Sequence, residues 1–538
     1  MGFSLKRSLK KAFKVAVVAF FTAGIMVLTG GAAAFLPTFY VHAGLGLLMS
    51  ALAPDMNMPT FGGGNKKNRG YNVTQTGSAM NHQIIYGKMK VGPVRVFDGT
   101  TGTDNVTLHR VIAFTGHEID AYEQVYLNDE LVTIASNGNV TSPSRFDGKV
   151  TLKMKLGSPD QDAEPTLVSA GVGYTNEHRL RGIAYMYARF EFDTDAFPNG
   201  VPEITAVIRG KKVFDPENPS AAPAWSDNPA LCIRDYITES GYGLGEAESN
   251  VNDASFILAK GICNDTNTLA STKRFTCNGA FTTASTPQQL LEEMIKSCGA
   301  MLWYTQGQWN LKVAKYTTPV LTLDEDDLRS GLTVSTRHSR RDNFNTVQGT
   351  FRGVESNWQV TDFPPVTNAD LLTIDGGLES SLDYDLPFCD NSIEARRLSR
   401  IMLERNRQQL GFSAKFGLRA FQLQVGDIVK ITNTRLGFEE KEFQIVSWTF
   451  GVEQEYDLQI EMSLQEISEN IFDEVDDGIV YEKDNTTLLS PFDVPTVDVV
   501  VEGDLRTVKG KAVGVMKVNV FNNSKLLDGV EVQYRKTP

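Results

Sequence analysis

The sequence predicts a mainly β, multi-domain protein with a minor α component, and three observations carry that reading. At 538 residues the chain exceeds one core of ordinary size and suits three or four domains. Its 46 glycines, with many Asn, Asp, Ser and Thr, mark frequent turns. From residue 83 onward, short β-branched runs alternate with turn residues, the pattern of a barrel or sandwich. An apolar fraction of 41% with 22% charged residues describes folded domains and excludes collagen, a coiled coil and a disulfide-dense miniprotein. Lys and Arg number 52 against 65 Asp and Glu, a formal charge of −13 that argues against a protein coating nucleic acid.

The N-terminal segment, residues 1–60, is basic and then apolar. Lys6, Arg7, Lys10, Lys11 and Lys14 precede a stretch, 15–36, in which 17 of 22 residues are Ala, Val, Ile, Leu, Met or Phe. Val15, Val17, Phe20, Phe21, Ile25, Val27, Leu28, Phe35 and Leu36 form its apolar body, and no formal charge follows Lys14 until Asp55. The length suits a membrane-crossing helix. Three readings fit: a secretory signal, a membrane anchor with its basic end inside, or an apolar segment stowed in an oligomer until it acts. Residues 61–80, with three consecutive glycines, read as a flexible linker.

Residues 81–230 are expected to be β-rich: Ile84-Ile85-Tyr86, Val94-Arg95-Val96-Phe97 and Arg110-Val111-Ile112-Ala113-Phe114 read as strands, and Asn137-Gly138 as a hairpin turn. Asp129 and Asn139 accordingly fall in hairpin loops. Residues 231–320 are expected to form an α+β region. There Thr286-Pro287-Gln288-Gln289 predicts a helix start with a capping box, and Leu290, Leu291, Met294 and Ile295 its apolar face. A buried hairpin bearing Trp303 and Trp309 follows. Residues 321–465 read as a second β domain holding an Arg-rich helix over 391–409. Its apolar face is Ile393, Leu398, Ile401 and Met402, and its opposite face Arg396, Arg397, Arg400, Arg405 and Arg407, a salt-bridged surface or subunit contact. Residues 466–494 are an acidic linker, and 495–538 a partial β domain with strands over 497–501, 511–521 and 530–534.

Chemistry is sparse. Cys232, Cys263, Cys277, Cys298 and Cys389 are far apart and read as buried, reduced thiols. The sequence holds no G-x-S-x-G elbow, H-E-x-x-H helix or Walker loop. Gly241 to Gly245 reads as a turn. His109, His117 and Asp120 suggest a metal trio, but their strand setting favours structural histidines, and Asp324 to Asp327 crowds too many like charges for directed ligation. No catalytic residue, metal site or cofactor is expected.

An ordered series of motifs points further. Tyr86 and Gly87 sit in Ile84-Ile85-Tyr86-Gly87-Lys88. His109 opens His109-Arg110-Val111, and Gly116 and His117 open Gly116-His117-Glu118-Ile119. Asp215 and Pro216 close Arg209-Gly210-Lys211-Lys212-Val213-Phe214-Asp215-Pro216, and Trp225, Asn228 and Pro229 lie in Trp225-Ser226-Asp227-Asn228-Pro229-Ala230-Leu231. This succession resembles the tail-tip and baseplate hub proteins of tailed bacteriophages, the family of the lambda tip attachment protein, over roughly residues 80–450.

The resemblance implies a non-enzymatic virion protein at the tail tip, assembled in the host cytoplasm. It implies two tube-like β-barrel or sandwich domains per subunit, a homotrimer closing the tail tube, and a fibronectin-type-III-like C-terminus. Implied partners are a distal tail or tube protein, the tape-measure protein and tail fibres, with host attachment and DNA ejection as the events served. DNA would pass without specific binding, an acidic lumen repelling its phosphates. The N-terminal segment, expected to be helical, would plug the hub or enter the host envelope. A membrane-anchored β-domain adhesin and a tail-borne cell-wall hydrolase are the alternatives.

Overall fold

The computed structural model describes residues 27–29, 80–266, 272–337, 343–452, 458–473 and 498–521. They fall in two compact units, Met1–Tyr481 and Glu482–Pro538, and strands predominate throughout.

The first β region of the larger unit faces two antiparallel sheets. One orders the strands Val94–Thr101, Thr107–Thr115, Ala184–Glu191 and Val150–Lys155. The other orders Lys88–Val91, Ile204–Arg209, Ala121–Leu127, Glu130–Ile134 and Val140–Ser142. Ile112, Phe114, Val125, Leu127, Met186 and Ile208 fill the core between them. The uninterrupted apolar run Val111–Phe114 within the strand Thr107–Thr115 has a physical cause. Its other face carries Val111 into a second small core with Leu167, Tyr174, Tyr185 and Tyr187, so both faces are buried. The Asn137-Gly138 turn forms as expected, with Gly138 at φ 90° and the Ala135 N–H donating to Asn139 O. Asp129 occupies a turn, and Asn139, just after the Asn137-Gly138 turn, bridges to Thr151.

A large core follows, built from the helices Pro229–Thr238, Asp253–Cys263 and Pro287–Lys296 and the hairpin Met301–Thr305/Gln308–Lys312. Trp303 and Trp309 are buried on this hairpin. Thr286 takes the N-cap backbone conformation, yet its side chain makes no capping bond. Gln288 and Gln289 instead donate to Glu292 and Glu293 one turn on, so no capping box forms.

The Arg-rich helix spans Ser392–Arg407, capped by Asn391 Oδ1 accepting from the Ile393 N–H. Ile393 is exposed, because it lies on the same helix face as Arg396, Arg397 and Arg400; Ala395, Leu398, Ile401, Met402 and Leu403 are buried. They join the core of the 229–314 helices rather than that of the six-stranded sheet. The arginines are not an open cationic face. Arg407 pairs with Asp375, Arg397 donates to Arg274 O, and Arg405 lies over the Phe472 ring at 5.4 Å. Burial lowers the Arg405 pKa to about 10.

The six-stranded sheet orders Leu321–Leu323, Ile428–Asn433, Phe438–Val452, Leu458–Glu466, Gly411–Phe416 and Thr333–Ser335, parallel only at its first pair. The short strands Thr346–Gln348 and Ser381–Asp383 pair in parallel, and Val347 joins the large core. Of the acidic linker expected over 466–494, only residues 466–473 lie within the described residues. Glu469–Phe472 is a 3-10 turn, and Ile467 and Ile471 are buried in the large core.

Of the apolar N-terminal stretch, only Val27–Thr29 lies within the described residues. It is a strand there, not helix, antiparallel to Met301–Thr305 with Val27 opposite Trp303. Val15, Val17, Phe20, Phe21, Ile25, Phe35 and Leu36 lie outside the described residues. Among the described residues no helix is long and apolar enough to cross a membrane.

In the smaller unit, Asp498–Val508 and Lys511–Phe521 form one long hairpin turning at Lys509-Gly510. Its first strand runs well past the five residues expected. The strand expected over 530–534 lies outside the described residues.

Candidate functional site

Most of the motif residues lie along a seam between the first β region and the helical core. The strand Gln83–Tyr86 leaves the first region and pairs with Gly279–Thr282 of the second. Where it turns, Gly87 adopts φ +62°, and a Cβ there would lie 2.1 Å from Cys277 O and 2.3 Å from Asn278 Oδ1. Only glycine fits. Gly87 O then accepts from Trp225 Nε1 at 2.9 Å and from the Gly210 N–H at 2.8 Å, and the Lys88 N–H donates to Asn278 Oδ1 at 2.8 Å. One peptide thus ties three separate segments.

His117 secures the same strand from the other side. Its Nε2 accepts from the Ile85 N–H at 3.0 Å, and its Nδ1 lies 2.7 Å from Glu118 O, which makes Nδ1 the protonated nitrogen. Desolvation by burial lowers its pKa to about 4, so the ring is neutral and fixed in one tautomer. Gly116 is constrained as well: a Cβ would meet His82 Nδ1 at 2.2 Å, and its N–H donates to Gln83 O.

Buried charge holds the helical side. The Tyr86 hydroxyl donates to Asp235 Oδ2 at 2.6 Å, and Lys211 Nζ lies 3.0 Å from the same carboxylate while also pairing with Glu239. Burial raises the pKa of Tyr86, and the Asp235 charge adds to it. Burial opposes the charge on Lys211, but Asp235 beside it prevails and its pKa stands above the ordinary lysine value. Asn228 caps the helix Pro229–Thr238 through the Ala230 N–H, with Pro229 at the first helical position. Its Nδ2 donates to Lys260 O and Asn264 Oδ1, stitching that helix to the next. Asp215, just before Pro216, pairs with Lys260 at 2.6 Å.

His109 does not join the seam. It lies in the four-stranded sheet with Nδ1 2.8 Å from the Tyr187 hydroxyl and Nε2 2.8 Å from Thr101 Oγ1. Asp120 pairs with Arg209, so the three residues of the candidate metal trio are engaged separately. Among the described residues no group of three ligating side chains is placed to hold a metal. All five cysteines are buried and free. A polar cavity of about 290 Å³ opens beside the seam, lined by Lys88, Trp225, Lys273, Asn278, Asp390 and Glu394 among others. Glu394 accepts from the Thr276 N–H and hydroxyl at 2.7 and 2.8 Å, and desolvation raises its pKa and that of Asp390 above their ordinary values.

A second tie escaped the sequence. Trp358, in a loop far along the chain, is buried in the core of the first β region. Asn357 and Trp358 both take left-handed backbone, φ 58° and 62°. Buried Lys90 donates to Asn357 Oδ1 at 2.7 Å and to Asp129 Oδ1 at 2.8 Å, with its Nζ over the Tyr126 ring. An Asn is the lone sequence signal for that backbone. Together the two ties hold segments distant in sequence against one another.

No family model matches the chain. Over 459 residues it is 21% identical to the baseplate hub protein pb3 of Escherichia phage T5, covering 72% of this chain and 48% of that protein. Over 310 residues it is 22% identical to tip attachment protein J of Escherichia phage SECphi27, covering 54% of this chain and 25% of that protein. In fold it is similar to a chain from the virion of a native gene transfer agent particle, with a TM-score of 0.53 at 15% identity, covering 82% of this chain and 99% of that one. These likenesses support a phage tail-tip and baseplate hub family for the chain. It spans about half the length of the first relative and a quarter of the second.

Proposed function

We propose that the chain is a structural virion protein of a phage tail, and that three copies form the hub at its distal tip. The observation that carries this reading is the likeness, across most of the chain, to a protein named as a baseplate hub, supported by the seam at which Tyr86, Gly87, His117 and Trp225 meet. In this role the hub closes the tail tube, anchors host-recognition parts and opens for DNA ejection. Its partners are other tail proteins: a distal tail or tube protein, the tape-measure protein and tail fibres. DNA passes without specific binding, consistent with the net charge of −13. Residues 15–52 plug the hub or enter the host envelope. The role is mechanical rather than enzymatic, and peptidoglycan zymography should show no clearing. Mass photometry of the purified chain tests the oligomer: three copies of 59.3 kDa support the reading, and a stable 59.3 kDa monomer at micromolar concentration contradicts it.

A further inference from the structure

An aromatic ridge on the six-stranded sheet leads outward from the strand Met301–Thr305, with which Val27–Thr29 pairs. Met301, Trp303 and Val425 form a small core that half-buried Trp448 closes. Beyond Trp448 the rings continue into solvent: Phe421 meets it edge-on at 5.9 Å, and Phe450 meets Phe421 edge-on at 5.7 Å. Phe421 is 55% exposed, Phe450 42%, and Leu418, in the same 3-10 turn as Phe421, 52%. Single exposed apolar residues are ordinary, but a contiguous aromatic series indicates a surface that something covers. The strand bearing Trp448 and Phe450 also runs past Gln444, the residue opposite Ile428 where its pairing with Ile428–Asn433 ends.

Val27–Thr29 identifies the occupant. Its pairing on Met301–Thr305 sets Val27 opposite Trp303, at the root of the ridge. The residues on either side are among the most apolar of the chain, with Val15, Val17, Phe20, Phe21 and Ile25 before and Phe35 and Leu36 after. Twelve residues precede Val27 in that stretch, and they reach roughly 18 Å even as a helix. Two ring-to-ring steps of under 6 Å separate Trp448 from Phe450. We propose that the ridge of Trp448, Phe421, Phe450 and Leu418 is the docking surface for this chain's own apolar stretch, residues 15–36, clipped in place by the Val27–Thr29 strand. The dock keeps that stretch out of water while the chain is soluble, and peeling the strand from Met301–Thr305 releases it. The inference concerns the isolated chain and does not depend on the hub reading.

The test uses the full chain with a specific protease site inserted within Gly62 to Gly64. After cleavage, the N-terminal fragment should co-elute with the body of the wild-type protein on size exclusion. It should do so equally in Leu258→Asp, a control at an exposed leucine on a helix of the large core. In Phe421→Asp/Phe450→Asp the retained affinity should fall on the order of a hundredfold, since two burying rings are removed, while the melting temperature holds because both rings are exposed. If the double variant does not fold, Phe421→Ser serves the same comparison. Loss of the fragment from wild type overturns the proposal, as does full retention in the ridge variant. A changed oligomeric mass with the fragment still bound overturns it too, and assigns the ridge to a second copy.

Discussion

Trp358→Ala isolates the tie that packs a distant loop into the first β region. The side chain is 5% exposed within that core, so truncation should cost about 3–5 kcal/mol. The backbone makes the test sharper. At φ 62° Trp358 sits where a side chain costs about 1–2 kcal/mol that glycine does not incur. Trp358→Gly should therefore be about 1 kcal/mol less damaging than Trp358→Ala, although it removes more atoms. A chain of several domains does not unfold in one step, so a single melting curve is not enough. Amide hydrogen exchange over Lys88–Val91 and Ala121–Leu127, the strands flanking Lys90 and Asp129, reports the local opening energy. Protection there should fall in the order wild type, glycine variant, alanine variant, with strands of the six-stranded sheet little changed. An alanine variant within about 1 kcal/mol of wild type, or a glycine variant weaker than alanine, would refute the reasoning.

Other outcomes follow from the seam and the hairpin. Gly87→Ala should destabilise by more than about 3 kcal/mol or leave the protein insoluble, since its Cβ meets backbone that cannot move aside; wild-type yield and melting would contradict this. Trp303→Ala or Trp309→Ala should each cost about 3–5 kcal/mol in the module around 275–320, and an unchanged melting temperature for both would count against the buried hairpin. His117, with a folded pKa of about 4, takes up a proton more readily when unfolded. Its contribution is complete above pH 6.5 and declines as pH falls toward 4, by about 3 kcal/mol in all. Buried Asp235, Asp390 and Glu394, with raised pKa values, slope the opposite way, so the informative quantity is wild type minus His117→Gln. That difference should shrink between pH 7 and pH 4; a constant difference would show that His117 does not titrate in this window.

Much of the β architecture was legible because its signals are local. Asn137-Gly138 dictates its own turn, and the alternation around Trp303 and Trp309 already marks a buried hairpin. Helix boundaries at 287 and 392 were readable from Pro287 and Asn391 for the same reason. What failed depends on partners distant in sequence. Thr286 matches a cap by composition, but Gln288 and Gln289 spend their amides on Glu292 and Glu293. The arginines of Ser392–Arg407 read as a salt-bridged surface or subunit contact, but the partners themselves, Asp375, Phe472 and the Arg274 carbonyl, carry no local signal. Trp358 gave no periodic signal at all, because a lone loop residue filling another region's core has no neighbours in its own segment to announce it. The motif residues were found as a succession, and their common purpose emerged only when Gly87, Trp225, Tyr86 and Asp235 met at one seam.

Cryo-EM of tails from virions encoding this chain tests the central claim most directly. The account predicts density for this fold at the distal tip in three copies around the tube axis, its first β region and six-stranded sheet contributing to a closed ring. A tip without this fold, or with a single asymmetric copy beside an already closed tube, would contradict it.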